Sequence, residues 1–158
     1  MTKDDLKYDH LVGRQFIIGQ QDCLSLFRQF YADNFGIQIR NYARPIDWSS
    51  DKLDLMELCH EREGFEKITD WKAKDVRPAD VLCMAIGERN PNHFAIALGD
   101  DQLLHHLNGR FSSVEVFRDF WRNHTSYILR HPDVPDLRPV YPDVELMDLI
   151  NARTSAQT

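Results

Sequence analysis

The sequence lacks long apolar runs and has few cysteines, and these absences exclude several classes of protein. No segment approaches the roughly 18 consecutive apolar residues of a membrane helix. The start, MTKDDLKYDH, is too polar for the apolar segment of a secretory signal, so we expect synthesis in a cytoplasm. The three cysteines, at positions 23, 59 and 83, are widely spaced and form no CxxC pair. This spacing indicates free thiols, and neither a disulfide framework nor a zinc site.

Blocks of like charge are also missing. The 158 residues include 25 acidic and 19 basic ones, which are interspersed and give a net charge of -6. Proteins that bind nucleic acid usually carry a basic patch, so this pattern predicts no nucleic-acid partner. Length and a hydrophobic content of 42% predict a single domain with a core over residues 1–142. Residues 143–158 are predicted to be a C-terminal tail with one short helical turn.

The first strong secondary-structure signal begins at a cysteine. Counting from Cys23, apolar residues recur with the i, i+3, i+4, i+7 spacing of a helix that buries one face. Asp22 is a suitable N-cap and Gly36 a suitable C-terminal cap. A thiol in the first helical turn lies at the positive end of the helix dipole, which favours the thiolate. We therefore expect Cys23 to have a lowered pKa and to be a candidate nucleophile.

The other two cysteines lack this setting. Cys59 lies late in the helical pattern DKLDLMELCHEREGF, and Cys83 lies in ADVLCMAI, an apolar run typical of a buried strand. Free cysteine is among the most often buried residue types, so both are predicted to belong to the core. His60 beside Cys59 suggests a metal pair only weakly, because no second spaced pair accompanies it.

A nucleophilic thiol needs a base, and the segment NPNHFAIALGDDQLLHHLNGR is the most informative source of one. Phe94, Ile96 and Leu98 alternate with His93 and two alanines. This period of two predicts a strand with one bulky apolar face and one small-residue face. His93 begins the strand, on the face where small side chains leave room for another segment to approach.

The sequence Gly-Asp-Asp then predicts a hairpin turn, and QLLHHL predicts the returning strand. With a three-residue loop, Leu98 is opposite Gln102, and His105 shares a face with His93. A two-residue loop would place His106 on that face instead, and loop-length statistics leave both assignments open. The chain thus presents a cysteine, a histidine and a polar residue able to orient it. This is the order of papain-like thiol peptidases.

Three segments resemble the NlpC-type cell-wall peptidase family, in particular its branch in tailed phages. They are LVGRQFIIGQQDCLSLFRQFYADNFGIQI, NHFAIALGDDQLLHHLNGRFSS and FWRNHTSYILRHPD, and the likeness covers roughly residues 9–131. The motifs are Gly-x-x-Asp-Cys before a helix, Asn-His at the start of a strand, and Leu-His-His on its partner. The resemblance implies an α+β, papain-like (NlpC-type) fold, with the cysteine-bearing helix packed on an antiparallel sheet.

The resemblance also implies a thiol peptidase without cofactor or metal. Cys23 is then the nucleophile, His93 the base and His105 the residue that orients it, which favours His105 over His106. The implied substrates are the stem peptides of peptidoglycan, often at the bond between D-glutamate and the diamino acid. The implied partners are phage tail-tip proteins. Such a protein is made in the host cytoplasm, and its branch suggests incorporation into the virion tail.

Departures from the family pattern leave alternatives. Phe16 occupies the position where many members carry a tyrosine that helps to hold the oxyanion, and Tyr8 is a candidate substitute. Ala79-Asp80 replaces the usual Gly-Asp. The alternatives are a non-catalytic tail-tip assembly protein, acyl transfer to an amine instead of water and, less favoured, a zinc-binding module. Arg110 either meets a substrate carboxylate or is simply solvated.

Overall fold

The computed structural model describes residues 1–44, 54–141 and 144–156, which form helices and one antiparallel sheet. The helices are α1 (Cys23–Phe35), α2 (Leu55–Glu63), α3 (Asp119–His124) and α4 (Leu146–Ala156). The strands are β1 (Glu66–Ile68), β2 (Val81–Met84), β3 (His93–Gly99), β4 (Gln102–His105), β5 (Ser113–Val116) and β6 (Thr125–Arg130). Their order is β1-β6-β2-β3-β4-β5. This arrangement confirms the predicted α+β fold.

Helix α1 has the predicted bounds because both of its ends are capped. The Asp22 carboxylate accepts a hydrogen bond of 2.9 Å from the Ser25 N–H, and Gly36 ends the helix with φ at 66°. The apolar face of α1 packs on β3 and is completely buried at its centre. The Tyr31 hydroxyl donates a 2.6 Å hydrogen bond to the Ala79 carbonyl. These contacts fix the start of α1, and so Cys23, against the sheet.

Both faces of the sheet are covered. Phe94 and Ile96 of β3 belong to the core that packs against α1. The alanines of β3 face a second, smaller core that contains Phe117 and packs against the half-buried Trp71 and Trp121. The room beside the small residues is thus filled by other side chains of this chain. As predicted, Cys59 and Cys83 are fully buried free thiols.

The hairpin between β3 and β4 has the shorter of the two loops that the sequence left open. Its turn contains only Asp100 and Asp101, with φ at 50° and 55°, and Gly99 pairs with Gln102. The pairing of Leu98 with Gln102, which a three-residue loop would give, is therefore not formed. A bulge at this position adds one residue to β3, which cancels the shift that a two-residue turn would cause.

The C-terminal region is more helical than predicted. The single predicted helical turn is instead the 11-residue helix α4, whose side chains are all exposed. Its sequence, LMDLINARTSA, is rich in strong helix formers, which explains the longer helix. The predicted domain boundary, between 142 and 143, lies outside the described residues. Within the described ranges, no helix has both the length and the apolar character needed to cross a membrane.

Candidate active site

Cys23 lies where the start of α1 meets the start of β3. Its side chain is buried, and the backbone N–H groups of Phe94 and Leu24 lie near its thiol, where they favour the charged form. The thiol borders a cleft of about 270 Å³ whose lining includes Phe16, Asp22, Cys23, Glu88, His93 and His106. The structure thus brings Cys23 and His93 together at one opening.

A local clamp positions His93. The Asn92 side-chain amide donates to the carbonyl of Ile86 and accepts from its N–H, each at 2.8 Å. These two bonds close the loop between β2 and β3, so β3 begins directly at His93. The predicted Asn-His motif therefore has a structural basis, because the asparagine holds the backbone from which the histidine projects.

Three side chains on consecutive strands form a continuous hydrogen-bonded chain. His93 Nε2 lies 2.9 Å from His105 Nδ1, and His105 Nε2 lies 2.9 Å from Glu115 Oε2. His105 faces His93 because Ala95 is opposite His105 in the β3–β4 register. Sequence reasoning missed Glu115. The sequence contained only a weak indication of it, an acidic residue within SVEV. The register of that strand with β4 depends on an irregular loop, which the sequence pattern does not determine.

His106 points away from this chain and forms part of the cleft wall. Its Nε2 donates to the Arg110 carbonyl at 3.1 Å, and its ring packs edge-on against Phe16 with centroids 5.3 Å apart. Phe16 therefore borders the cleft without offering a donor. Tyr8, the predicted substitute, lines a separate hollow beside the β3–β4 turn with Gly99, so its suggested role at the oxyanion is wrong.

A buried ion pair supports the segment before the nucleophile. Arg44 Nε lies 2.7 Å from Asp22 Oδ2, and the two side chains are only 1% and 2% exposed. Asp22 also accepts from the N–H groups of Ser25 and Gly19. Burial alone would raise the pKa of Asp22, but these hydrogen bonds outweigh it and hold the pKa below its ordinary value. Arg44 was not identified from sequence, because only the path of a distant loop brings it here.

The predicted thiolate at Cys23 is not supported. Burial raises the pKa of the Cys23 thiol to about 12, although the amides of Phe94 and Leu24 favour the charged form. Burial, with smaller effects of His105 and His106, lowers the pKa of His93 to about 3. Both shifts favour a neutral thiol beside a neutral imidazole. The desolvation of Cys23 thus outweighs the groups around it that favour the thiolate.

We expect alkylation of Cys23 by iodoacetamide to be slow at pH 6 and to accelerate continuously up to pH 9. The thiolate is the reacting form, and its population rises about tenfold per pH unit below the pKa. Mass spectrometry of the labelled peptide measures the rate, with the buried Cys59 and Cys83 as internal controls. A rate at Cys23 that is fast and independent of pH would contradict the neutral pair.

The described residues contain no group of three histidine, cysteine or acidic side chains placed to hold a metal ion. Near Cys59, His60 Nδ1 lies 2.6 Å from the Phe65 carbonyl, so it serves the turn after α2. The chemistry that the cleft can support comes from its thiol, its imidazoles and the backbone amides at the start of α1.

The chain matches the NlpC/P60 family over residues 11–130. It is 36% identical over 122 residues to tail tip assembly protein K of Escherichia phage lambda, covering 77% of this chain and 59% of the relative. Protein K of Escherichia phage N15 is 27% identical over 126 residues, with 78% and 50% covered. The chain thus spans little more than half the length of these relatives. Among solved structures, the NlpC/p60 domain of peptidoglycan hydrolase SagA aligns at 20% identity with a TM-score of 0.47, over 77% of this chain and 90% of that domain.

Proposed function

Because the chain belongs to the NlpC/P60 family, we propose that it is a thiol peptidase that hydrolyses peptide bonds in peptidoglycan stem peptides, in association with a phage tail or its assembly. The observation that carries the proposal is the hydrogen-bonded chain from His93 through His105 to Glu115, which ends at the cleft that contains Cys23. The phage relatives are tail tip assembly proteins, which supports the tail context.

The hydrogen-bonded chain determines which nitrogen of His93 acts as the base. The Glu115 carboxylate only accepts, so His105 Nε2 carries a proton and His105 Nδ1 presents a lone pair. His93 Nε2 must then donate to His105 Nδ1, which leaves His93 Nδ1 without a proton. His93 Nδ1 is thus the atom that accepts the thiol proton. A cation that forms on His93 is stabilised by His105, with the Glu115 charge behind it.

In the proposed reaction, the Cys23 sulfur attacks the carbonyl carbon as its proton moves to His93 Nδ1. The amide C–N bond breaks, the leaving amine takes the proton from His93, and a thioester remains on Cys23. Water then attacks the thioester while His93 removes its proton. The C–S bond breaks, the peptide leaves as a carboxylic acid, and the thiol is restored. The N–H of Cys23, at the start of α1, is the donor we assign to the oxyanion.

A digest of purified stem peptides tests this function. Wild-type protein is expected to convert a stem peptide into two fragments, detected by liquid chromatography and mass spectrometry, and Cys23→Ala to leave it intact. Cys59→Ala, in which a buried thiol outside the cleft is removed, is the matched control and should retain cleavage. An added amine shows whether the acyl group goes to water or to the amine. Intact peptide after incubation with folded wild-type protein would contradict the proposal.

Replacing Glu115 with glutamine is expected to lower kcat about ten- to a hundredfold with little change in KM. The charge of Glu115 matters when His93 becomes a cation, which occurs only in the transition state, and charged hydrogen bonds contribute about 1.5–3 kcal/mol. Steady-state kinetics on a stem peptide measure both constants. Glu66→Gln, at the exposed first residue of β1, is the control and should match wild type. A change confined to KM would show that Glu115 does not support the base.

The alternative, a non-catalytic assembly protein, is favoured by one observation. Phe16 borders the cleft where many family members offer a tyrosine hydroxyl, and Tyr8 lines a separate hollow. If this alternative holds, Cys23→Ala in the phage leaves both tail formation and infectivity at wild-type levels. The peptidase proposal instead predicts normal tails with reduced entry through the cell wall.

A further inference from the structure

A single backbone donor, the N–H of Cys23, is a weak support for the oxyanion of the proposed reaction. Active sites that form a tetrahedral oxyanion usually hold it with two donors, and removal of one donor slows the reaction about 10²- to 10³-fold. The cleft lining also includes the exposed Glu88, whose negative charge disfavours an oxyanion nearby, and Phe16, which has no donor. A peptidase in this cleft therefore requires a second donor from the lining.

Most side chains of the cleft lining that can donate a hydrogen bond are already engaged. Both ends of the Asn92 amide bond the backbone of its own loop, each at 2.8 Å. His93 Nε2 donates to His105, and its Nδ1 must stay free to accept the thiol proton. His106 Nε2 donates to a backbone carbonyl, and burial lowers the pKa of His106, so the ring is neutral and its Nδ1 carries no proton. None of these three side chains is available to the oxyanion.

Asn108 is, apart from the nucleophile, the remaining donor side chain among the described residues that line the cleft. It is exposed, and within the part of the chain that the structure describes its amide has no hydrogen-bonding partner. A primary amide offers two N–H donors and carries no charge. A hydrogen bond to a charged oxygen is stronger than one to a neutral carbonyl. The amide of Asn108 thus favours the transition state over the bound substrate.

The backbone that carries Asn108 is held in a tight turn. The Arg110 N–H donates to the Leu107 carbonyl at 3.1 Å, and Gly109, with φ at 75°, allows the chain to reverse between them. His106 Nε2 donates to the Arg110 carbonyl at 3.1 Å and ties the end of the turn to the cleft wall. A donor on a fixed backbone needs little reorganisation when charge develops, which is the condition for effective stabilisation of an oxyanion.

We propose that the side-chain amide of Asn108 donates a hydrogen bond to the oxygen of the carbonyl that Cys23 attacks. This role rests on the proposed peptidase function and adds a catalytic residue to it. As the C–S bond forms, an electron pair of the C=O bond moves to the oxygen, which then accepts from the N–H of Cys23 and from Asn108. When the C–N bond breaks, the pair returns and the carbonyl of the thioester forms.

Steady-state kinetics on a stem peptide test this role. Asn108→Ala is expected to lower kcat about a hundredfold, with little change in KM, because the donor acts mainly in the transition state. Asn108→Asp keeps the shape but replaces the donors with a negative charge, so its loss should be at least as large. Asn123→Ala, which removes an exposed amide on α3, is the control and should match wild type. An unchanged kcat, or a change confined to KM, would overturn the role of Asn108.

A peptide aldehyde tests the same hydrogen bond without turnover. The probe is a dipeptide of alanine and D-glutamate whose γ-carboxyl is reduced to an aldehyde, and the matching alcohol is a control that cannot react. The Cys23 sulfur adds to the aldehyde carbon, its proton passes to the carbonyl oxygen, and that oxygen takes the place of the oxyanion. In calorimetry, Asn108→Ala should weaken binding of the aldehyde about three- to tenfold and leave binding of the alcohol unchanged.

Cleavage and aldehyde binding together separate the role of Asn108 from the peptidase function. If wild type cleaves no stem peptide but its preference for the aldehyde depends on Asn108, the peptidase function fails and the role of Asn108 stands. If wild type cleaves stem peptides and Asn108→Ala binds the aldehyde as tightly as wild type, the role of Asn108 is wrong and the function stands. Wild type that neither cleaves nor prefers the aldehyde would overturn both.

Discussion

His93→Ala is expected to lower kcat/KM for stem-peptide hydrolysis by a factor of about 10² to 10⁴. The neutral Cys23 thiol needs a base at the moment of attack, because burial keeps its own pKa far above neutral pH. His93 is available for this role throughout the neutral range, since burial lowers its pKa to about 3 and leaves it unprotonated. Steady-state assays across pH 5 to 8 measure the loss, which should be similar at each pH.

Substitutions of other histidines show whether the loss is specific. His105→Ala should also reduce kcat, because it leaves His93 Nε2 without its acceptor. His106→Ala should have a smaller effect, since that ring bonds the Arg110 carbonyl and packs on Phe16. His124→Ala, on exposed α3, is the control. If His106→Ala abolishes activity and His105→Ala does not, the proposed roles of the two histidines are wrong.

Arg44→Met is expected to lower the free energy of unfolding by about 3–5 kcal/mol, because it leaves the Asp22 carboxylate buried without its cation. Methionine keeps most of the side-chain volume, so the loss reports the guanidinium charge and its hydrogen bonds. Urea denaturation at pH 7 measures it. Arg138→Met is the matched control: Arg138 is paired with Asp136 at the surface, where 43% and 36% of the two side chains are exposed. Removing that pair should cost less than about 1 kcal/mol.

The destabilisation by Arg44→Met should shrink as the pH falls. In wild type, hydrogen bonds hold the pKa of Asp22 below its ordinary value, so its stabilising contribution is present above the unfolded pKa of about 3.9 and is lost as the pH falls through the folded pKa. Without Arg44, fewer hydrogen bonds oppose the effect of burial, so the pKa of Asp22 rises. Asp22 then takes up a proton at mildly acidic pH. If the destabilisation by Arg44→Met is the same from pH 7 to 4, the charge of Asp22 is not its cause.

Local sequence patterns were sufficient to predict the elements that carry the site. The apolar spacing after Cys23 and the caps at Asp22 and Gly36 predicted α1, and the alternation after His93 predicted β3. The pattern left His105 and His106 as alternatives, and only the family resemblance favoured the pairing of His93 with His105 that the structure shows. The bulge in β3 compensates for the shorter turn, so the face of His105 is unchanged.

The features that sequence did not reveal depend on contacts between distant segments. Glu115 and Arg44 acquire their roles only when an irregular loop brings them to His105 and Asp22. The electrostatics of Cys23 were mispredicted for a related reason. The position of a residue in a helix can be predicted from its neighbours in the sequence, whereas burial depends on every segment that packs around the thiol.

The central claim is that Cys23 forms a thioester with the substrate, and rapid acid quenching tests it most directly. Wild-type protein is mixed with a stem peptide, quenched within the first turnover, digested with pepsin and analysed by mass spectrometry. The account predicts that the peptide containing Cys23 gains the mass of the acyl fragment, and that His93→Ala gains it far more slowly. Substrate turnover with no adduct at Cys23, or with the adduct on another residue, would contradict the account.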